Sequence, residues 1–197
     1  MSKTSSITRD IITFVLLVIV VVVPIRLFIA QPFIVDGSSM FPTFQNGNYL
    51  IVDELTYDFS KPQRGDVIVF RYPGNPSIFY IKRIIGLPNE TITIKDGRVT
   101  ITEPSGAARA LTEPFISAKD TTYNIKTTLG PKQYFVMGDN RPESSDSRVW
   151  GPVPSRNIIG RVFLRLFPPN GFGVFPGVHH FAPVVHTITA STTTSNL

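Results

Sequence analysis

Residues 11–30 read IITFVLLVIVVVVPIRLFIA, an apolar run that holds one proline, Pro24, and one arginine, Arg26. About 20 such residues are needed to cross a hydrocarbon core of ~30 Å, so the length predicts one transmembrane helix over 11–30. Pro24 is tolerable near the end of a membrane helix, and Arg26 can extend its charge to the interface. A cleaved secretory leader is the competing reading, since Lys3 and Arg9 precede the run. However, the run is long for a leader, and Phe28-Ile29-Ala30-Gln31-Pro32 makes a poor cleavage site, so an uncleaved anchor is expected. Asp36, Asp53 and Glu54 follow the span, and no Lys or Arg lies between Arg26 and Lys61. The excess of basic residues before the span then places residues 1–10 in the cytoplasm and residues 31–183 on the far side.

Past the span, the pattern changes to short apolar runs divided by turn residues. NYLIVDEL (48–55), DVIVF (66–70), 78–85, QYFVMGDN (133–140) and NIIGRVFLRLF (157–167) read as strands. TITIKDGRVTI (91–101) holds two alternating runs joined by Asp96-Gly97, a strong hairpin signal. No amphipathic helical pattern separates the strands, which argues against a parallel α/β fold and for a mainly β domain of mixed antiparallel sheets. Residues 102–130 are less patterned and read as a small insertion. Residues 168–183 are aromatic but too rich in Pro and Gly to span a membrane, and the Thr/Ser-rich 184–197 reads as a disordered tail.

The residue inventory limits the chemistry. The chain has no cysteine, which removes thiol nucleophiles, disulfides and thiolate metal sites together. A net charge of +5 without a Lys/Arg run or an aromatic-basic face argues against nucleic acid as a partner. His179, His180 and His186 all fall in the last stretch, where they read as surface or interfacial residues rather than as a base or a metal site. A hydrolase built from this chain therefore needs another base, and a buried lysine can serve. In SIFYIKRIIG (77–86), Lys82 and Arg83 interrupt an apolar strand. Alternation puts Tyr80, Lys82 and Ile84 on one face and Phe79, Ile81, Arg83 and Ile85 on the other, so one charge can be desolvated while the other faces solvent. Arginine stays protonated, which leaves Lys82 as the useful base. VDGSSMFPTF (35–44) offers Ser38 and Ser39, which local sequence does not separate. MGDNRPESSDSR (137–148) reads equally as a hydrogen-bonded turn and as a polar scaffold beside a site.

Taken together, these stretches resemble the bacterial type I signal peptidases, membrane-anchored Ser/Lys proteases. GSSMFPT (37–43), RGDVIVF (64–70), YIKRIIGLP (80–88) and GDNRPESSDSR (138–148) match that family's motifs in order, behind an N-terminal span. The resemblance implies a barrel-like β catalytic domain, Ser39 as nucleophile and Lys82 as its base. It also implies Ser144 bonded to the lysine, Asp146 and Arg148 bracing the loop, and Asp139 beneath it. Phe33, Val35, Leu50, Val69 and Ile81 would line the shallow pocket for substrate position −3, and Met40, Phe44 and Tyr80 would help form that for −1. The implied substrates are preproteins with N-terminal signal peptides, cut at the outer face of the bacterial cell membrane, beside the lipid bilayer and the secretion translocon. No cofactor or metal is implied. Gly37 departs from members that carry a serine two places before the nucleophile to help the oxyanion, and Gly47-Asn48 replaces a common Gly-Asp. The short stretch between the lysine and final motifs implies that the large accessory domain of some relatives is absent or reduced. The alternative reading is a membrane-anchored peptide-binding β-domain without catalysis. A self-cleaving repressor-type peptidase fits the span poorly, and a sortase would need a cysteine.

Overall fold

The computed structural model describes residues 3–22 and 30–181. Helix α1 (Lys3–Leu17) continues into one π-helical turn (Val18–Val22). Among the described residues, no helix is long and apolar enough to cross a membrane. The helix covers residues 11–22 of the expected span, and 23–29 lie outside the described residues. Its expected last residue, Ala30, instead opens the first strand, β1 (Ala30–Ile34). Pro32 offers no N–H to a ladder, which suits β1 to its place at a sheet edge.

The strands that follow are β2 (Tyr49–Asp53), β3 (Val67–Tyr72), β4 (Asn75–Gly86), β5 (Thr91–Lys95), β6 (Arg98–Thr102) and β7 (Ala108–Ala110). The last five are β8 (Ile125–Thr128), β9 (Gln133–Met137), β10 (Val153–Pro154), β11 (Ile158–Phe167) and β12 (Gly173–Val174). Short helices α2 (Thr56–Phe59) and α3 (Ser147–Trp150) sit in loops. The larger sheet runs β1-β2-β11-β3-β4-β9-β10, with β12 added to β11, and the smaller runs β7-β6-β5-β8. Every ladder among the described residues is antiparallel. The larger sheet keeps two ends, β1 and β10, which do not pair with each other.

Residues 102–130, expected as a small insertion, supply β7 and β8, which flank the β5–β6 hairpin and complete the smaller sheet from Thr91 onward. Its inner face buries Ile92, Ile94, Val99 and Ile101 against Ile85, Phe135 and Met137 of the larger sheet. The two sheets therefore share one core. Burying such side chains stabilises by about 1.5–3 kcal/mol each.

β3 has both faces buried, and β4 pairs with it in the register Val67↔Arg83, Ile68↔Lys82 and Phe70↔Tyr80. β9 joins the other edge of β4 only from Arg83 onward. The segment 75–82 thus keeps one backbone edge outside the sheet.

His179 departs from the expected surface pair. Its ring packs edge-on against Phe115 at 5.3 Å and Phe181 at 4.6 Å, whereas His180 is exposed. His186 and the expected tail 184–197 lie outside the described residues.

Candidate active site

The polypeptide turns sharply through 38–44, with Phe41 N–H donating to Ser38 O and Phe44 N–H to Met40 O, both at 2.9 Å. Met40 and Phe44 pin this turn from below, fully buried with Val35, Leu50, Val67 and Val162. The cleft beside Ser39 is lined without them. The turn presents Ser39 to Lys82: Nζ stands 2.6 Å from Ser39 Oγ and 3.0 Å from Ile81 O. Lys82 is only 4% exposed, and the Tyr80 ring centroid lies 5.3 Å from its amine. Burial lowers the lysine pKa from 10.5 to about 8, while the charges of Asp146 and Asp139 pull it back upward. At neutral pH about one lysine in ten is then neutral and able to take a proton.

The two adjacent serines have different partners. Ser38 Oγ donates to Glu143 Oε2 at 2.8 Å, and Ser39 Oγ faces the amine. Asn140 holds both carbonyls, through its N–H to Ser39 O at 3.0 Å and its side-chain amide to Ser38 O at 3.2 Å. Glu143 and Asn140 thus fix the turn that carries Ser39, a role the sequence does not signal.

Behind this contact, the loop 138–148 is organised around Asp146. Arg148 grips both of its oxygens at 2.8 Å, so the expected pair is formed. Ser144 Oγ donates to Asp146 Oδ2 at 2.8 Å, where the resemblance implies a bond to the lysine. Ser144 therefore reaches Lys82 through the Asp146 carboxylate, whose field acts on the amine. Gly138 is needed for the close approach of loop and turn: a Cβ there would overlap the Ser39 carbonyl and lie 2.6 Å from Ser144 Cβ.

Asp139 does not cap backbone amides. It forms a fully buried ion pair with Arg83, Nε–Oδ1 2.8 Å and Nη2–Oδ2 2.6 Å, and accepts from Thr43 Oγ1 at 2.5 Å. Arg83, the charge expected to face solvent, is instead 0% exposed, because this carboxylate compensates it in the interior.

A cleft of about 410 Å³ opens beside the Ser39–Lys82 contact, and Phe33, Val35, Leu50, Val69, Tyr80 and Ile81 line it, together with Ser39 and Lys82. Phe79 joins them, packed edge-on against Phe33 at 5.6 Å, although alternation sets it on the opposite face from Tyr80. Phe79 sits on the part of β4 that β9 does not flank. Gly37, also in the wall, has φ +95°, so a serine hydroxyl there would come at the cost of a strained backbone. Among the described residues no cluster of potential metal ligands occurs.

A desolvated amine against a serine hydroxyl, at one end of an apolar cleft, has the layout of a hydrolase that attacks through serine. Comparison with known proteins gives the same class. The family model described as "Signal peptidase, peptidase S26" matches residues 8–167. A probable signal peptidase I-1 of Synechocystis is 36% identical over 84% of this chain and 85% of its own. A signal peptidase I of Leptolyngbya laminosa is 38% identical over 79% and 77%, and one of Pseudomonas aeruginosa 33% identical over 74% and 68%. The chain belongs to the signal peptidase family, peptidase S26, which is a family of serine endopeptidases.

Proposed function

We propose that this protein removes signal peptides from the N-termini of exported preproteins, with Ser39 as nucleophile and Lys82 as general base. The observation that carries the reading is the 2.6 Å contact between a buried amine and the Ser39 hydroxyl. Neutral Lys82 takes the Oγ proton as Oγ bonds to the scissile carbonyl carbon. The oxyanion is met by the Ser39 N–H. The tetrahedral adduct collapses as the ammonium returns its proton to the departing amine, leaving an acyl-enzyme. A water then gives its proton to the same amine, attacks the ester, and restores Ser39.

The substrate binds as an added strand. Two backbone edges border the cleft, that of β1 and that of β4 before Arg83, and both can pair with an extended peptide. The small apolar cavity between them suits short side chains at −1 and −3.

The active site works at the outer surface of the bacterial cell membrane, close to the translocon that delivers preproteins. Ser39 follows residue 30 by nine residues, at most ~33 Å of extended chain. Ile34 and Phe167 are exposed by 68% and 56%, and both pair across to Tyr49. With exposed Phe41 and Phe172 they supply apolar surface for the lipid interface, whereas buried Phe44 does not.

The test is cleavage of a detergent-solubilised preprotein, with the product's N-terminus sequenced. Ser39→Ala, Lys82→Arg and Lys82→Met should all be inactive, since guanidinium cannot accept the proton and methionine has no base. Substantial residual cleavage by any of them refutes the dyad. A non-catalytic peptide-binding domain would cut nothing even as wild type.

A further inference from the structure

Residues 175–181 lie past the stretch matched by the family model, which ends at 167, yet they close the back of the dyad. The Gly177 carbonyl accepts a hydrogen bond from Arg83 Nη1, whose remaining bonds go to Asp139 and, at 2.9 Å, to Gly65 O. Gly177 also presses on the nucleophile segment. A Cβ on it would overlap Thr43 Cγ2 and stand 3.3 Å from Phe44 Cε2. One backbone turn thus touches both side chains that converge on Asp139. The segment is held at each end. Phe175 N–H donates to Phe163 O on β11 at 2.7 Å, and the His179 ring packs between Phe115 and Phe181. Phe115 in turn covers the Arg83 guanidinium at 4.0 Å.

We infer that residues 175–181 are a positioning strap that clamps the nucleophile segment onto β4 and so sets the distance between Ser39 and Lys82. Thr43 lies four residues after Ser39, and Arg83 directly follows Lys82. The two segments meet at the dyad on one side of β4 and at Asp139 on the other. Asp139 ties them through side chains; Gly177 ties them through a carbonyl on one and close packing on the other. Without the second tie the nucleophile segment can retreat, and a displacement of about 1 Å costs on the order of 10²-fold in rate. The inference rests on the Ser39–Lys82 reading.

Gly177→Ala inserts the offending Cβ. Gly106→Ala is its control, because Gly106 has a similar positive φ (+89° against +79°) with nothing within 4 Å of where its Cβ would stand. Thr43→Ser removes Cγ2 while keeping the hydroxyl for Asp139. With the full chain in detergent and a preprotein substrate, Gly177→Ala should lower kcat on the order of 10- to 100-fold, with KM held within about twofold. Gly106→Ala should keep the wild-type kcat, and Gly177→Ala with Thr43→Ser should recover most of the loss. A wild-type kcat in Gly177→Ala, an equal loss in Gly106→Ala, a change confined to KM, or no recovery in the double variant each overturns the strap. If Gly177→Ala does not fold, His179→Ala decides: a lower kcat at constant KM supports the strap, and wild-type kcat overturns it. Cleavage retained by Ser39→Ala would overturn the dyad; a dead Ser39→Ala beside a normal Gly177→Ala overturns the strap alone.

Discussion

Replacing Lys82 by methionine should abolish cleavage and yet stabilise the protein at neutral pH. In the unfolded chain the amine titrates at its ordinary 10.5; in the folded protein burial lowers this to about 8. Below pH 8 both states carry the proton, and the folded one bears a penalty of about 3 kcal/mol for a desolvated ammonium. Between pH 8 and 10.5 the unfolded chain still binds a proton that the folded protein has released, so wild-type stability rises with pH. Above 10.5 neither state is charged and the penalty is gone. Methionine never bears this penalty, but it forfeits the bonds from Nζ to Ser39 Oγ and Ile81 O, worth about 1 kcal/mol each. The variant should therefore be more stable by about 1 kcal/mol at pH 7 and less stable by about 2 kcal/mol above pH 10.5. The assay is urea unfolding of both proteins at intervals from pH 6 to 11, and the readout is their difference, in which other titrating groups cancel. A difference that stays flat across this range would mean that Lys82 titrates as an exposed lysine, and the account of its activation fails.

Other measurements probe the same site from different directions. Because the base must be neutral, kcat/KM should fall about tenfold per pH unit on the acid side of a midpoint near 8, as read from a pH–rate profile. Arg83→Met leaves Asp139 buried without its partner and should cost about 3–5 kcal/mol in urea unfolding. Ser144→Ala removes one bond to Asp146 and none to Lys82, so it should cost about 1 kcal/mol of stability while most of the cleavage rate survives in a preprotein assay.

Strand signals survive in the sequence where one face is apolar and a turn marks the end. That is why β2, β3, β4, β9 and β11 and the Asp96-Gly97 hairpin are legible from period and punctuation alone. β1 is hidden because it follows the apolar run without a break and contains Pro32, which only an edge strand accepts. β7 and β8 are three and four residues long and alternate weakly, so their register comes from the hairpin they flank. Within the site, Lys82 stands out from the residue inventory and strand alternation, whereas the choice of Ser39 over Ser38 comes only from motif resemblance. Met40 and Phe44 are apolar side chains whose depth a one-dimensional pattern cannot give. Arg83 and Asp139 stand 56 residues apart, and neither neighbourhood announces the other. The bond from Ser144 to Asp146 instead of Lys82 turns on distances of a few ångströms, which spacing along the chain does not encode.

The adjacency of Lys82 and Arg83 makes the enzyme intolerant of one kind of error. On β4 they are consecutive, one amine toward the serine and one guanidinium toward the buried carboxylate. A slip of the strand by one residue in one direction would carry Arg83 to the serine and Ile84 to the carboxylate, because successive side chains point to opposite faces. Asp139 would then be buried without a counter-charge, whereas the opposite slip would give it Lys82 and set Ile81 against the serine. In either register the serine would face no group that can take its proton. Both slipped registers would lack activity, and the one that leaves the carboxylate unpaired would also lose about 3–5 kcal/mol of stability, so the order of these two cations ties strand register to both catalysis and folding.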